Sequence, residues 1–334
     1  MDLLAPARLA ATLAAVTAMF TPAGAQALGP YPGLGSCEVF PRPPASLSPR
    51  APSLPNQAAW RQDVSRAPVA HNSATTIAYI DAHGGDFLHP DFGSPRAYGF
   101  PYAVVGAGQG RKRVHYTAYG RESDREPFPI PRHAPVEGGR GSDGDRHVLV
   151  VDRSRCILYE LYRAFFRPHG SGLGPHWNAD SGASWNLRST ALRPDSWTSA
   201  DAAGLPIFPG LVRYDEVAAG RVEHAIRVTF ASTRDAWVHP ATHCAGDTAN
   251  PNAPAMGTRL RLRPGYGLGR FGGGAKTIAR ALKRYGMIVA DNGSNWFFGG
   301  TSDRRWNDAS LNQLKRIPGR AFQVVRSRAR PHVC

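Results

Sequence analysis

"HVLVVDRSRCILYELY", residues 147–162, decides the fold class. Val148 to Asp152 and Cys156 to Tyr162 are short apolar runs, rich in β-branched and aromatic residues, on either side of a polar turn, and they predict a hairpin. Similar signals recur downstream. In "GRVEHAIRVTF" (220–230), Val222, His224, Ile226, Val228 and Phe230 alternate with Arg221, Glu223, Arg227 and Thr229, so one face of a strand is expected to be buried. In "GMIVADNGSNWFFGG" (286–300), Asn292-Gly293 between apolar runs predicts a second hairpin whose first arm is an inner strand. "HNSATTIAYIDAHGGDFLHPDFGSP" (71–95) reads as a strand over Ala74 to Ile80, then a tight Gly84-Gly85 turn and a polar loop.

Helical spacing is clearest in "GGGAKTIARALKRYGM" (272–287). Ile278, Ala281, Leu282 and Tyr285 share a stripe, and Gly286 suits the left-handed position after a helix end. A second helix is expected from Asp308 to Ile317, stopped by Pro318. Strands without βαβ alternation, followed late by one or two helices, predict a mainly β protein: an antiparallel β-sandwich or jelly-roll-like fold with helices packed near the C-terminus.

Residues 1–27 read as an export signal. Arg8 precedes an apolar run from Leu9 to Phe20, and Ala25-Gln26-Ala27 offers small residues for cleavage. Residues 28–70, centred on "PRPPASLSPRAPSLP", are expected to form an extended, weakly ordered leader, leaving 71–334 as a single β-rich domain. No run after the signal approaches the roughly 20 apolar residues of a spanning helix. The four cysteines, Cys37, Cys156, Cys244 and Cys334, lie far apart without CxxC spacing, so two disulfides of open connectivity are expected, as in a secreted protein, extracellular or periplasmic. The formal charge of +15 is carried mostly by arginine. No nucleic-acid-binding module accompanies it, and it suits an anionic polysaccharide or a cell-envelope glycan as partner, or no partner at all.

Several side chains are candidates for chemistry. Asp86, Glu216 and Asp291 are carboxylates in strand-end or otherwise apolar contexts, and His224 is a titratable group on an apolar strand face. Cleavage of a glycosidic bond needs one protonated and one ionised carboxyl, and a histidine can assist as base. The alternatives are structural: turn contacts for Asp86 and Asp291, a helix first turn for Glu216, and a bonded core histidine. Trp177, Trp197, Trp296 and Tyr285 are candidate sugar platforms, with core packing as the alternative. His83 and His89, with Asp86 and Asp91 between and beside them, and His239 and His243 in a second loop are the metal-ligand candidates; a four-histidine site for a divalent ion would need the two loops to meet, and no cofactor is otherwise implied. Nucleophile elbows, zincin and phosphate-loop motifs are absent.

"SADAAGLPIFPGLVRYDEVAAGRVEHAIRVTF" (199–230), "MGTRLRLRP" (256–264) and "ARALKRYGMIVADNGS" (279–294) resemble a family of exported bacterial proteins known mainly as uncharacterised. The resemblance covers about residues 71 to 317 and implies a shared fold; it carries over no catalytic residue. The residues by themselves suggest a secreted glycoside hydrolase with a carboxylate pair. A lyase acting on an anionic glycan through His224 or Tyr285 is the first alternative, and a non-catalytic carbohydrate- or envelope-binding protein the second.

Overall fold

The computed structural model describes residues 33–94, 98–168 and 174–334; residues 1–27, expected to be an export signal, lie outside them. The protein is mainly β, built from several mixed sheets, one of them curled into a half-barrel, with few helices. In chain order the first eight strands are β1 (His89–Pro90), β2 (Tyr102–Val105), β3 (Val114–Tyr116), β4 (Val148–Asp152), β5 (Ile157–Tyr162), β6 (Phe165–Arg167), β7 (His176–Ala179) and β8 (Ser181–Asn186). The next eight are β9 (Ile226–Phe230), β10 (Arg234–Trp237), β11 (Ala255–Met256), β12 (Arg259–Leu262), β13 (Met287–Asn292), β14 (Phe297–Phe298), β15 (Phe322–Val324) and β16 (His332–Val333). The helices are α1 (Ser73–Ala82), α2 (Tyr214–Ala218), α3 (Gly273–Arg284) and α4 (Asp308–Asn312).

The predicted hairpin forms, with β4 antiparallel to β5 in a four-stranded sheet ordered β2-β4-β5-β8. Its turn is closed by Asp152, whose Oδ1 accepts from the Ser154 amide (3.1 Å) and hydroxyl (2.6 Å). Both faces of the hairpin are buried, and they serve different cores. Leu149, Val151 and Leu158 enter the main apolar core, while Val148, Val150, Tyr159 and Leu161 enter a second, smaller one with Phe128, Val136 and Trp177. The hairpin is therefore a wall shared by two compartments.

The main core is also covered by a six-stranded sheet ordered β1-β14-β9-β13-β12-β15. Parallel pairing of β9 with β13 at its centre makes it mixed rather than purely antiparallel. Helix α3 buries the expected stripe, with Ile278 and Leu282 fully enclosed. Gly286 adopts the left-handed conformation (φ 69°), and a Cβ there would meet the Leu260 carbonyl oxygen at 2.0 Å. The second helix runs as α4 and a following 3₁₀ turn (Gln313–Arg316), its start capped by Asn307 accepting from the Ser310 amide (2.8 Å).

Four expectations are corrected. Ala74 to Ile80 lie within helix α1, despite β-branched residues that favour strands, because Ser73, Thr76, Ile77 and Ile80 make one buried helical face. Asn292-Gly293 does not close a hairpin: β13 and β14 flank β9 on opposite sides, so the connection crosses the end of β9. There the Thr229 hydroxyl donates to the Ser294 carbonyl (2.9 Å) and the Ala231 amide to Asn295 Oδ1 (2.8 Å). Arg227, expected on an exposed face, is buried.

The fourth correction concerns the leader. Its described part, 33–70, is packed into the fold, with Leu34, Val39, Phe40 and Trp60 in the main core and Cys37 bonded to Cys156. Buried arginines of β12 hold it by its carbonyls: Arg259 donates to Ala59 O (2.5 Å) and Gln62 O (3.1 Å), and Arg261 to Val64 O. A proline-rich composition concealed enough large apolar side chains to offset the ordering cost. The second disulfide joins Cys244 and Cys334. Two disulfides fit an oxidising compartment, and no described helix is long and apolar enough to cross a membrane. Trp60 is fully buried, with its indole N–H donating to Gln57 Oε1 (2.9 Å). Trp60→Ala is expected to lower the unfolding free energy by about 3–5 kcal/mol, measured by urea denaturation, whereas a loosely attached leader would leave it unchanged.

Candidate functional site

A cavity of about 330 Å³ is lined by residues from or beside both larger sheets, among them Asp145, His147, Tyr162, Asp201, His243 and Asp291. Two of its acids, Asp201 and Asp291, meet at Arg227 of β9. Nη2 of Arg227 donates to Asp201 Oδ1 at 2.9 Å and lies 3.5 Å from Asp291 Oδ2. Asp291 comes from β13, where the register with β9 shifts between Val289 and Asp291. Such a bulge re-aims the following side chain, here toward the guanidinium. The Arg227 side chain is 5% exposed, its guanidinium lies 5.2 Å from the centre of the Phe100 ring, and Gly299 packs against its aliphatic stem.

The cavity is also lined by a second cation. His147 is fully enclosed, with Nδ1 2.5 Å from Glu137 Oε2 and Nε2 2.9 Å from the Ala200 carbonyl oxygen. A carbonyl can only accept, so Nε2 carries a proton, and the carboxylate favours one on Nδ1 as well. Burial opposes that charge, but Glu137 more than offsets it and raises the imidazole to about 9. Glu137 in turn is lowered: burial pushes it up, and the stronger pull of His147 brings it down. This pair is internally neutral.

Asp201 and Asp291 then share the single charge of Arg227. Burial raises both; for Asp291 the neighbouring Asp201 adds to the effect, and its carboxyl is pushed up to about 7. Ionising both acids would leave one negative charge uncompensated in the interior, so near neutral pH the pair retains one proton. Asp201, at 2.9 Å from Arg227, is the better-neutralised anion; Asp291, at 3.5 Å and 27% exposed, is the acid that reaches the cavity. Among the described residues, Asp201 Oδ2 has no hydrogen-bond partner.

Beside this group stands Glu160, on the main-core face of the hairpin. It accepts the Ile207 (3.0 Å) and Phe208 (2.8 Å) amides at the start of a 3₁₀ turn (Phe208–Gly210) and the Trp185 indole N–H (3.2 Å), and burial raises it to about 7. It ties the four-stranded sheet to that turn and does not line the cavity.

Of the four predicted catalytic residues, Asp291 lines this cavity. Asp86 is exposed on the loop after α1, where its carbonyl accepts the Gly319 amide (2.7 Å). Glu216 and His224 are buried together, Nε2 to Oε2 3.3 Å, outside the cavity wall. Glu216 also accepts the Arg213 amide at the start of α2, and His224 Nδ1 sits 2.6 Å from the Ala225 carbonyl, so both are engaged in structure. Trp296 is fully buried, stacked on Phe322 and bonded to Asp81. Tyr285 is 2% exposed, and neither ring has a free face for a sugar. Trp197 is half-buried with the Arg193 guanidinium 5.5 Å from its ring centre, and Trp177 lines a different depression.

The four candidate metal ligands are not brought together. His83 is exposed and stacked on Tyr79, His89 is stacked on Phe297, His239 pairs with Asp195 (2.9 Å), and His243 reaches the cavity. Among the described residues the only metal-like group is Asp235, Cys244 and Cys334, whose sulfurs are bonded to each other. The chain matches no family model, no curated protein and no solved structure.

Asp201, Arg227, His147 and Glu137 were missed because no local pattern marks them. Only Arg227 left a trace, as the one charged residue between Ile226 and Val228 in a strand that proves buried on both faces. The proton held by Asp291 has a measurable consequence. Its folded pKa of about 7 exceeds the ordinary 3.8, so its stabilising contribution is full at acid pH and is lost as pH rises through about 7. Wild type is therefore expected to lose stability relative to Asp291→Asn as pH rises across that window, measured by urea unfolding at a series of pH values.

Proposed function

We propose that the protein is a secreted carbohydrate-active enzyme, a glycoside hydrolase that cleaves a polysaccharide with Asp201 and Asp291 as its carboxyl pair. One observation carries this reading: two carboxyls share one buried guanidinium nitrogen, at 2.9 and 3.5 Å, and one of them, Asp291, is 27% exposed where it lines a cavity. Glycosidic cleavage needs this division of labour, a neutral acid beside an ionised partner. The two disulfides and the basic surface agree with an exported protein that meets anionic glycans.

Asp291 donates its proton to the glycosidic oxygen, while Asp201, fully buried against Arg227, stays ionised and keeps Asp291 protonated. The C–O bond breaks as the leaving oxygen takes the proton of Asp291. Water then attacks the anomeric carbon and gives its proton to Asp291. Tyr119 and Tyr162 line the cavity and supply aromatic surface for the sugar.

The test is release of reducing sugars from a panel of neutral and acidic polysaccharides. Asp291→Asn and Asp201→Asn are each expected to lower kcat by about 10²–10⁴-fold with circular dichroism unchanged. Because Asp291 must be protonated, the wild-type rate should fall as pH rises through about 7. Full activity in Asp291→Asn would sink the assignment, and binding without product across the panel would favour a carbohydrate-binding protein.

A further inference from the structure

Arg146 and His147 are consecutive, yet they serve different depressions. His147 lines the cavity of the carboxyl pair, and Arg146 lines a second one, of about 320 Å³, on the side of the smaller core. Arg146 sits in the left-handed region (φ 52°), uncommon for a side chain of its size, which lets the chain deliver the two residues to opposite sides. Among the described residues no carboxylate lines the second depression; Arg132, Arg140, Arg146 and Arg167 do, together with Phe165 and Trp177.

Four cations sharing a depression without an anion is a costly arrangement. Arg146 is 5% exposed, and its guanidinium donates only to neutral carbonyls: Ala164 (3.1 Å), Arg140 (2.9 Å) and Ser142 (2.6 Å). Its charge is disfavoured by burial and then by Arg163 and Arg167. None of the four lining arginines makes an ion pair with a described residue; Arg146 and Arg167 instead lie over the Phe165 ring, at 4.2 and 5.5 Å, and Arg132 over Phe166 at 5.6 Å. Stacked guanidinium groups keep their N–H edges available for a planar or tetrahedral anion. Trp177, a predicted sugar platform, is 5% exposed, and its indole N–H has no acceptor among the described residues. The depression also continues: Arg140 and Val136 are common to it and to an adjoining cavity of about 550 Å³, which Arg304 also lines and whose one carboxylate among the described residues, Asp303, is paired with Arg305 at 2.6 Å.

We infer that this arginine-lined groove is a binding site for the anionic groups, carboxylate or sulfate, of an acidic polysaccharide, separate from the carboxyl-pair cavity. Two adjoining depressions suit a chain better than an isolated ion. The choice of a glycan as the carrier rests on the hydrolase reading; the anion site itself rests on the arginines.

Binding is measured by isothermal titration in the Asp291→Asn background, with polygalacturonate, dextran sulfate and neutral dextran as probes. The Asp291→Asn protein is expected to bind at least one of the two polyanions and not neutral dextran, and the polymer preferred identifies the charged group. Arg132→Ala/Arg167→Ala removes two exposed arginines of the groove and is expected to weaken that binding by about tenfold or more. Arg280→Ala/Arg328→Ala removes the same charge from exposed positions elsewhere and is expected to leave binding within about twofold, as for a charge lying beyond the screening length. Equal losses in both double variants, or no polyanion binding, would overturn the site. Because no turnover is required, loss of the hydrolase reading would leave this result standing, and its failure would leave the carboxyl pair untouched.

Discussion

A single buried guanidinium organises the meeting point of the two larger sheets. Arg227 could be enclosed only with compensation, since an unpaired charge in the interior costs several kcal/mol. Asp201 supplies that compensation at 2.9 Å, the Phe100 ring covers the guanidinium, and Gly299 makes room for its stem. Once one carboxylate has neutralised the cation, a second carboxyl brought beside it by the bulge in β13 must keep its proton. The acid of the proposed mechanism is thus a by-product of electrostatic saturation: one cation, two carboxyls, and little water to absorb the difference.

Much of the architecture was legible because it is local. The hairpin at 148–162 could be read from composition and turn chemistry, and α3 from the spacing of Ile278, Ala281 and Leu282. What failed depended on long-range packing. Ala74 to Ile80 carries strand-favouring residues and becomes helical because Ile77 and Ile80 need a common face. Asn292-Gly293 has hairpin chemistry, but β13 and β14 find better partners on either side of β9. The proline-rich segment looked unable to fold because its few large apolar residues, Trp60 above all, have no local partners and pack only against the distant core.

The site was less legible than the fold for the same reason. Asp291 stood out because a carboxyl ends an inner strand. Its partners Asp201, Arg227 and His147 lie far away in sequence, in segments with no distinguishing pattern. Glu216 and His224 attracted attention as charged residues in apolar surroundings, which is equally the signature of a pair that has satisfied itself internally, as theirs has. Burial marks both kinds of group; what separates them is whether a cavity adjoins.

The β4–β5 hairpin has a further consequence. Because each of its faces closes a different apolar compartment, neither can open to water without exposing the reverse side of the other's lid. The proposed reaction chamber borders the hairpin at Tyr162, and the arginine groove adjoins the smaller core through Val136, Phe166 and Trp177. Amide exchange along Val148–Asp152 and Ile157–Tyr162 would then report escape of the molecule as one cooperative block rather than fraying of a lobe.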